Sequence, residues 1–302
     1  MKRTTWLLAL LLAVPSLSHA QELKIADGSS SGTYQEMVKQ IVKVCGNIVP
    51  ISEVPASGAV ENLDKVIGNE ANAAFLHSDV IWNRNQRAPE DVANIKTLLA
   101  LFKEDVHFVV LNKPFKEGGW KSMANSGTNL DSISDLKDLT VGAAGGGFIT
   151  ANVIRLQSEI TYKVVSFDSG KEVLTALNNG TIAAAVFVGA APLPNLKDLG
   201  KEYKILSISE STRDKLKSVY RPTTITYTKM SPTAVQSVAA DSLLVAREYK
   251  TPKFRQALQS FRQCFYRNLD ELKETPGTHK AWQQVDQNNH GKWAWYEFGN
   301  SK

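Results

Sequence analysis

Two short stretches hold the residues best suited to gripping a small ligand. Gly28-Ser29-Ser30-Ser31-Gly32-Thr33-Tyr34, and Gly145-Gly146-Gly147-Phe148 with Thr150 just beyond, each lie between a short apolar run and a helix-like pattern. Such a loop leaves backbone N–H groups free at a helix start, where the aligned peptide dipoles favour a carboxylate or phosphate. Glycine lets the backbone approach the ligand, and the hydroxyls of Ser29, Ser30, Ser31 and Thr33 add donors. Ser57-Gly58, Ser78-Asp79 and Val188-Gly189 fall at equivalent ends of other apolar runs. In an open α/β sheet, ligands collect at those strand ends. Arg155, Arg221 and Lys103 are the bases that could clamp a carboxylate, but single charges of this kind are more often solvated surface groups, and none is assigned as the clamp.

Other chemistries fit less of the pattern. Gly28-Ser29-Ser30-Ser31-Gly32 matches G-x-S-x-G between a strand and a helix, the setting of a nucleophilic serine. Ser30 would attack, with a later Asp and His279 or His290 completing a triad. That hydrolase fold needs several strands before the elbow, and one precedes it here. His77-Ser78-Asp79 is no triad, since sequence neighbours do not converge in that geometry. Asp286-Gln287-Asn288-Asn289-His290-Gly291, with Glu297 following, approaches a calcium loop, but His290 occupies a position that needs an oxygen ligand. No cofactor and no metal are expected, and catalysis is not expected either.

The elements that must position these loops repeat in order. Leu23–Ala26 alternates as a strand, Met37, Val38, Ile41, Val42 and Val44 recur at helical spacing, and Ile48–Val54 is a second strand. A helix opens after Ser57, with Ser57 and Glu61 near capping positions, and Ala73–Leu76 is a buried strand. Ile95–Phe102 and Val106–Leu111 read as two further strands. After a softer stretch over 112–135 the order restarts: a strand at 139–142, the glycine loop, a helix from Phe148 to about Ser158, a strand at 162–165, a helix ended by Asn179-Gly180, and a buried strand at 182–189. Tyr220–Tyr227 is a return strand, and the chain beyond it reads as mainly helical to about Arg267. The class is α/β: two lobes, each a mostly parallel sheet flanked by helices. Lobe one is expected over 21–110 plus 225–302, and lobe two over 111–224.

Composition fits this plan. The 302 residues are 43% hydrophobic and 22% charged, which excludes disordered and collagen-like classes. A formal net charge of +5 is too thin and scattered to argue for nucleic acid. Lys2 and Arg3, the apolar run Trp6–Val14 and Ser18-His19-Ala20 form a signal-peptide pattern over residues 1–20, and the apolar run is too short to span a bilayer. The protein is therefore expected in the periplasm after cleavage near Ala20. In that oxidising compartment Cys45 and Cys264, the two cysteines of the chain, are expected to be joined, with two buried free thiols as the alternative. A bond would bring an early helix to a late one and is worth on the order of 4–5 kcal/mol on the chain-entropy view.

Several segments together resemble a known family. Ile25-Ala26-Asp27-Gly28-Ser29-Ser30-Ser31-Gly32-Thr33-Tyr34, Ser57–Leu63, Ala73–Val80, Val141–Gly147, Ala176–Phe187 and Trp282–Val285 are similar, in order, to segments of the TAXI family, the solute receptors of TRAP transporters. The resemblance spans most of the chain after the signal peptide. It implies a type II periplasmic-binding-protein fold, a hinge of two crossing strands, and closure on a small organic acid or amino acid that passes to membrane permease subunits. The sequence departs from the family in two loops. Gly145-Gly146-Gly147-Phe148 lacks a hydroxyl until Thr150, and Asp27–Ser31 replaces a loop richer in Gly and Thr, so the ligand's identity does not carry over. An exported sensor or accessory protein of the same fold is the alternative function, with the Ser30 hydrolase third.

Overall fold

The computed structural model describes residues 21–28, 32–116 and 127–299. The first half opens with β1 (Leu23–Gly28), α1 (Thr33–Cys45), β2 (Ile51–Pro55), α2 (Ala59–Ile67), β3 (Ala73–His77), α3 (Ser78–Arg87) and the short α4 (Pro89–Val92). β1 pairs in parallel with β2 on one side and β3 on the other. All five residues of β3 are buried, because helices cover both faces of the sheet, and so its sequence shows no polar alternation. α1 buries Met37, Val38, Ile41 and Cys45, a stripe at helical spacing.

A 17-residue strand, β4 (Ile95–Leu111), then leaves this half. The second half holds β5 (Thr140–Ala144), α5 (Gly146–Ser158), β6 (Lys163–Phe167), α6 (Gly170–Asn178), β7 (Ala184–Gly189), β8 (Tyr203–Ile205), α7 (Glu210–Leu216) and β9 (Arg221–Tyr227). β5 lies parallel to both β6 and β7. β10 (Ser231–Arg247) returns the chain, and α8 (Pro252–Arg267) and α9 (Leu269–Glu274) pack on the first half, where Phe261 and Phe265 share a core with Ile25, Phe75 and Trp282.

The strands described form one ten-stranded sheet, β2-β1-β3-β10-β4-β7-β5-β6, with β8 on β4 and β9 on β10. Both ends are parallel and the centre is antiparallel. β4 spends Ile95–Asp105 against β10 and Asp105–Val109 against β7. β10 pairs with β9 up to Ala239 and with β3 from Ser242. Two long strands thus run from one half to the other and change partners at the same level.

Two expectations are corrected here. Ile95–Phe102 and Val106–Leu111 are one strand, because Lys103-Glu104-Asp105 continues the ladder through the crossing instead of turning. The stretch after Tyr227 is not mainly helical: β10 occupies Ser231–Arg247 before α8 begins. Its run of Ala, Leu and Val is buried on both faces from Ser237 to Ala246, so a helix-forming composition is overridden by tertiary pairing. The disulfide is present: Cys45 at the end of α1 bonds Cys264 in α8 across 219 residues, with the Cα atoms 5.9 Å apart.

Candidate functional site

A cleft of about 580 Å³ opens at the ends of β1 and β7. Asp27, Gly28, Gly32, Thr33, Tyr34 and Gly58 line one wall, from the end of β1 and the starts of α1 and α2. Val188, Gly189 and the turn to Pro194, with a cis Ala191–Pro192 bond, line the other. Phe102 and Glu104 of β4 floor it, and residues 278–281 close one side. That last segment is fixed to α1 through Gln40, whose Oε1 accepts from His279 N at 3.1 Å and Trp282 Nε1 at 2.6 Å. A neighbouring cleft of about 850 Å³ shares Phe102, Ala191, Pro192 and Gln284 with it.

Local sequence explains the open helix ends. α6 and α7 are capped by serine hydroxyls, Ser169 accepting from Glu172 N and Ser209 from Thr212 N. α1, α2 and α5 instead start on Gly32, Gly58 and Gly145, with no side-chain cap. Their first N–H groups are left for some other acceptor. Gly28 has φ +93°, a conformation that bars most side chains and lets the chain turn from β1 toward α1. Ser57 does not cap α2: its N and Oγ both donate to Glu61 Oε2, at 2.8 and 2.7 Å.

Behind the cleft lies a buried polar cluster that joins the halves. His77 Nδ1 meets Asp79 Oδ1. Asp79 Oδ2 accepts from Thr150 Oγ1 of α5 at 2.6 Å and from Tyr220 OH, just before β9, at 2.7 Å. Tyr34 OH donates to Glu104. Burial works against a charged imidazole, but the Asp79 carboxylate, aided by Glu104, pushes His77 up to about 9. Burial likewise opposes the Asp79 carboxylate, yet His77, Thr150 and Tyr220 hold it below its usual range. Burial raises Glu104, with His77 and the Tyr34 hydroxyl opposing. Asp105, at the partner change in β4, accepts from Thr223 Oγ1 at 2.9 Å and Ala191 N at 3.3 Å, which ties the 190–194 wall to the crossing.

The residues singled out from sequence are divided by the structure, and Ser57 is not among those that line the cleft. Gly32, Thr33, Tyr34, Gly58, Val188 and Gly189 line the cleft. Ser29, Ser30 and Ser31 lie outside the described residues. Ser78, Asp79, Gly146 and Thr150 are used inside the protein: Ser78 Oγ accepts from Asp241 N at 3.1 Å, and a Cβ on Gly146 would collide with His77 Nε2. Gly147 sits against the Val186 carbonyl and Phe148 packs on the second half's core. Neither they nor Gly145 line the cleft. Arg221, one of the three possible clamps, is held by Asp241, with Nε to Oδ1 at 2.6 Å, and by Asn289 Oδ1 at 3.1 Å. Lys103 lines the neighbouring cleft, and Arg155 lies on α5 away from both.

Sequence reasoning missed Asp27 and Glu104 as site residues. The signal for Glu104 was there: an acid inside a long apolar run asks for a buried partner. Among the described residues no helix is long and apolar enough to cross a membrane, and no group of three or more His, Cys, Asp or Glu could hold a metal.

This architecture is that of two-lobed periplasmic solute-binding proteins. An ancestral arginine-binding protein bound to arginine superposes with a TM-score of 0.53 at 15% identity, covering 85% of this chain and 98% of that one. The substrate-binding protein of an amino acid ABC transporter gives 0.51 at 13%, covering 84% and 95%. XAC2383 from Xanthomonas citri bound to ATP gives 0.53 at 10%, covering 91% of each. No curated protein is significantly similar in sequence. The NMT1-like family model matches residues 25–291, and the chain belongs to that family.

Proposed function

We propose that this protein is an exported solute receptor of the TAXI type, which captures a small organic acid or amino acid between its halves and delivers it to TRAP-type permease subunits. The observation that carries the reading is the cleft itself. It lies at the carboxyl ends of β1 and β7, with uncapped helix starts on one wall and β4 beneath it. The signal-peptide pattern over residues 1–20 supports a periplasmic location. The partner change within β4 and β10, near Asp105 and Ala239, supports a hinge there between lobes of 21–110 plus 225–302 and 111–224. Closure would bring Val188–Gly189 toward Gly28 and Gly32–Tyr34 around the ligand.

A melting screen of the mature protein against amino acids, keto acids and dicarboxylates tests this. A ligand held at 100 times its Kd stabilises by about 2.7 kcal/mol, a clear rise in Tm. Stabilisation by one solute without turnover is the expected result. A panel that leaves the melt unmoved removes the receptor reading.

A further inference from the structure

Asp27 stands at the end of the central strand of the first half, with no exposed surface. Neither of its carboxylate oxygens has a hydrogen-bond partner among the described residues. A buried carboxylate left bare is costly, and proteins ordinarily pair it. The other acids on the cleft wall have partners: Glu36 accepts from Gln40 at 3.1 Å, and Glu104 from Tyr34. The neighbours of Asp27 do not balance it either. Burial, then the charge of the Glu53 carboxylate on β2 and a side-chain hydrogen-bonding relation to it, pushes Asp27 up to about 6, opposed by its own backbone N–H and, least, by Lys39 of α1. No metal-holding group is found among the described residues, and Asp27 lines the cleft, from which a bound solute can supply a partner.

The geometry points to a solute that carries a protonated nitrogen, an ammonium or guanidinium group, seated on Asp27, with its anionic end on the uncapped amides that open α1 and α2. This deepens the receptor reading and rests on it. Among solutes of either kind it selects the amino acid over the dicarboxylate. A dianion would bring a second negative charge to Asp27 and Glu104, whereas a zwitterion matches both ends of the wall.

The test uses the mature protein with a fixed panel: arginine, lysine, glutamine, alanine, succinate and 2-oxoglutarate. At least one amine-bearing solute is expected to raise Tm while the two dicarboxylates do not. Asp27→Asn, which keeps shape and removes charge, is expected to weaken that binding at least tenfold in titration calorimetry. Asp198→Asn, on the exposed surface beside Lys229, is expected to leave it unchanged. If succinate or 2-oxoglutarate binds and no amine does, the inference fails and the receptor reading stands. Undiminished binding after Asp27→Asn also overturns it. Should that variant not fold, the panel on the unaltered protein decides. If nothing binds, both readings fall together.

Discussion

His77 meets Asp79 through Nδ1, and its Nε2 lies where a Cβ on Gly146 would collide with it. Its raised affinity for a proton is a statement about stability. The folded-state value of about 9 exceeds the ordinary imidazole value of 6.5, so the contribution is complete below about pH 6.5 and is lost as pH rises through 9. The ion pair with Asp79 is the cause, and Glu104 adds to it. The unfolding free energy from urea titrations should therefore fall between pH 7 and about 9.5, by on the order of 2–3 kcal/mol. His77→Gln should be less stable at pH 7 and should lack that fall; a fall of equal size in the variant would assign it to another group. His77 and Asp79 were visible in the sequence as neighbours, but which groups they would face was not. Thr150 and Tyr220 lie 71 and 141 positions from Asp79, and nothing in local spacing announces such a meeting. Asp27 was hidden differently, as a lone acid before a glycine, because burial without a partner is a property of packing alone.

The helices and strands of each half were legible because period and punctuation agreed. α1 shows its buried stripe, and α6 its serine cap and closing Asn179-Gly180. β10 was not legible, since Ala239-Ala240 and Leu243-Leu244 suit a helix as well as a strand covered on both faces. β4 was divided in two at Lys103-Glu104-Asp105, where charge suggested a turn. The acids are there to serve the crossing, Glu104 toward Tyr34 and Asp105 toward Thr223 and Ala191. The pairing of α1 with α8 through Cys45 and Cys264 was anticipated from compartment and count. It closes a loop of 219 residues, and the double variant Cys45→Ser, Cys264→Ser should lose about 2–5 kcal/mol in denaturant unfolding. Dithiothreitol should reproduce the loss in the unaltered protein and change nothing in the variant. A loss below about 0.5 kcal/mol would mean that Phe261, Phe265 and Trp282 hold the two helices without the bond.

The two halves are tied by the crossing strands and by the hydrogen bonds that Thr150 and Tyr220, on the second half, give to Asp79 on the first. A hydrogen bond to a buried carboxylate is worth about 1.5–3 kcal/mol, and open and closed forms of a hinged receptor differ by only a few. Two such bonds can therefore set the balance. Thr150→Val with Tyr220→Phe removes both donors while keeping nearly the same volume, and leaves Asp79 with His77 alone. The expected result is a larger radius of gyration by small-angle scattering in the absence of ligand. Solute binding should also weaken by about tenfold, because part of the binding energy, about 1.4 kcal/mol, must then be spent on closure. Saturating solute should restore the compact form, since a ligand held by both walls favours closure whether or not the bonds exist. If stability falls but the scattering curve and affinity do not move, the Asp79 cluster is cement between fixed halves. The motion would then have to lie elsewhere, or the cleft would have to admit its solute without any hinge.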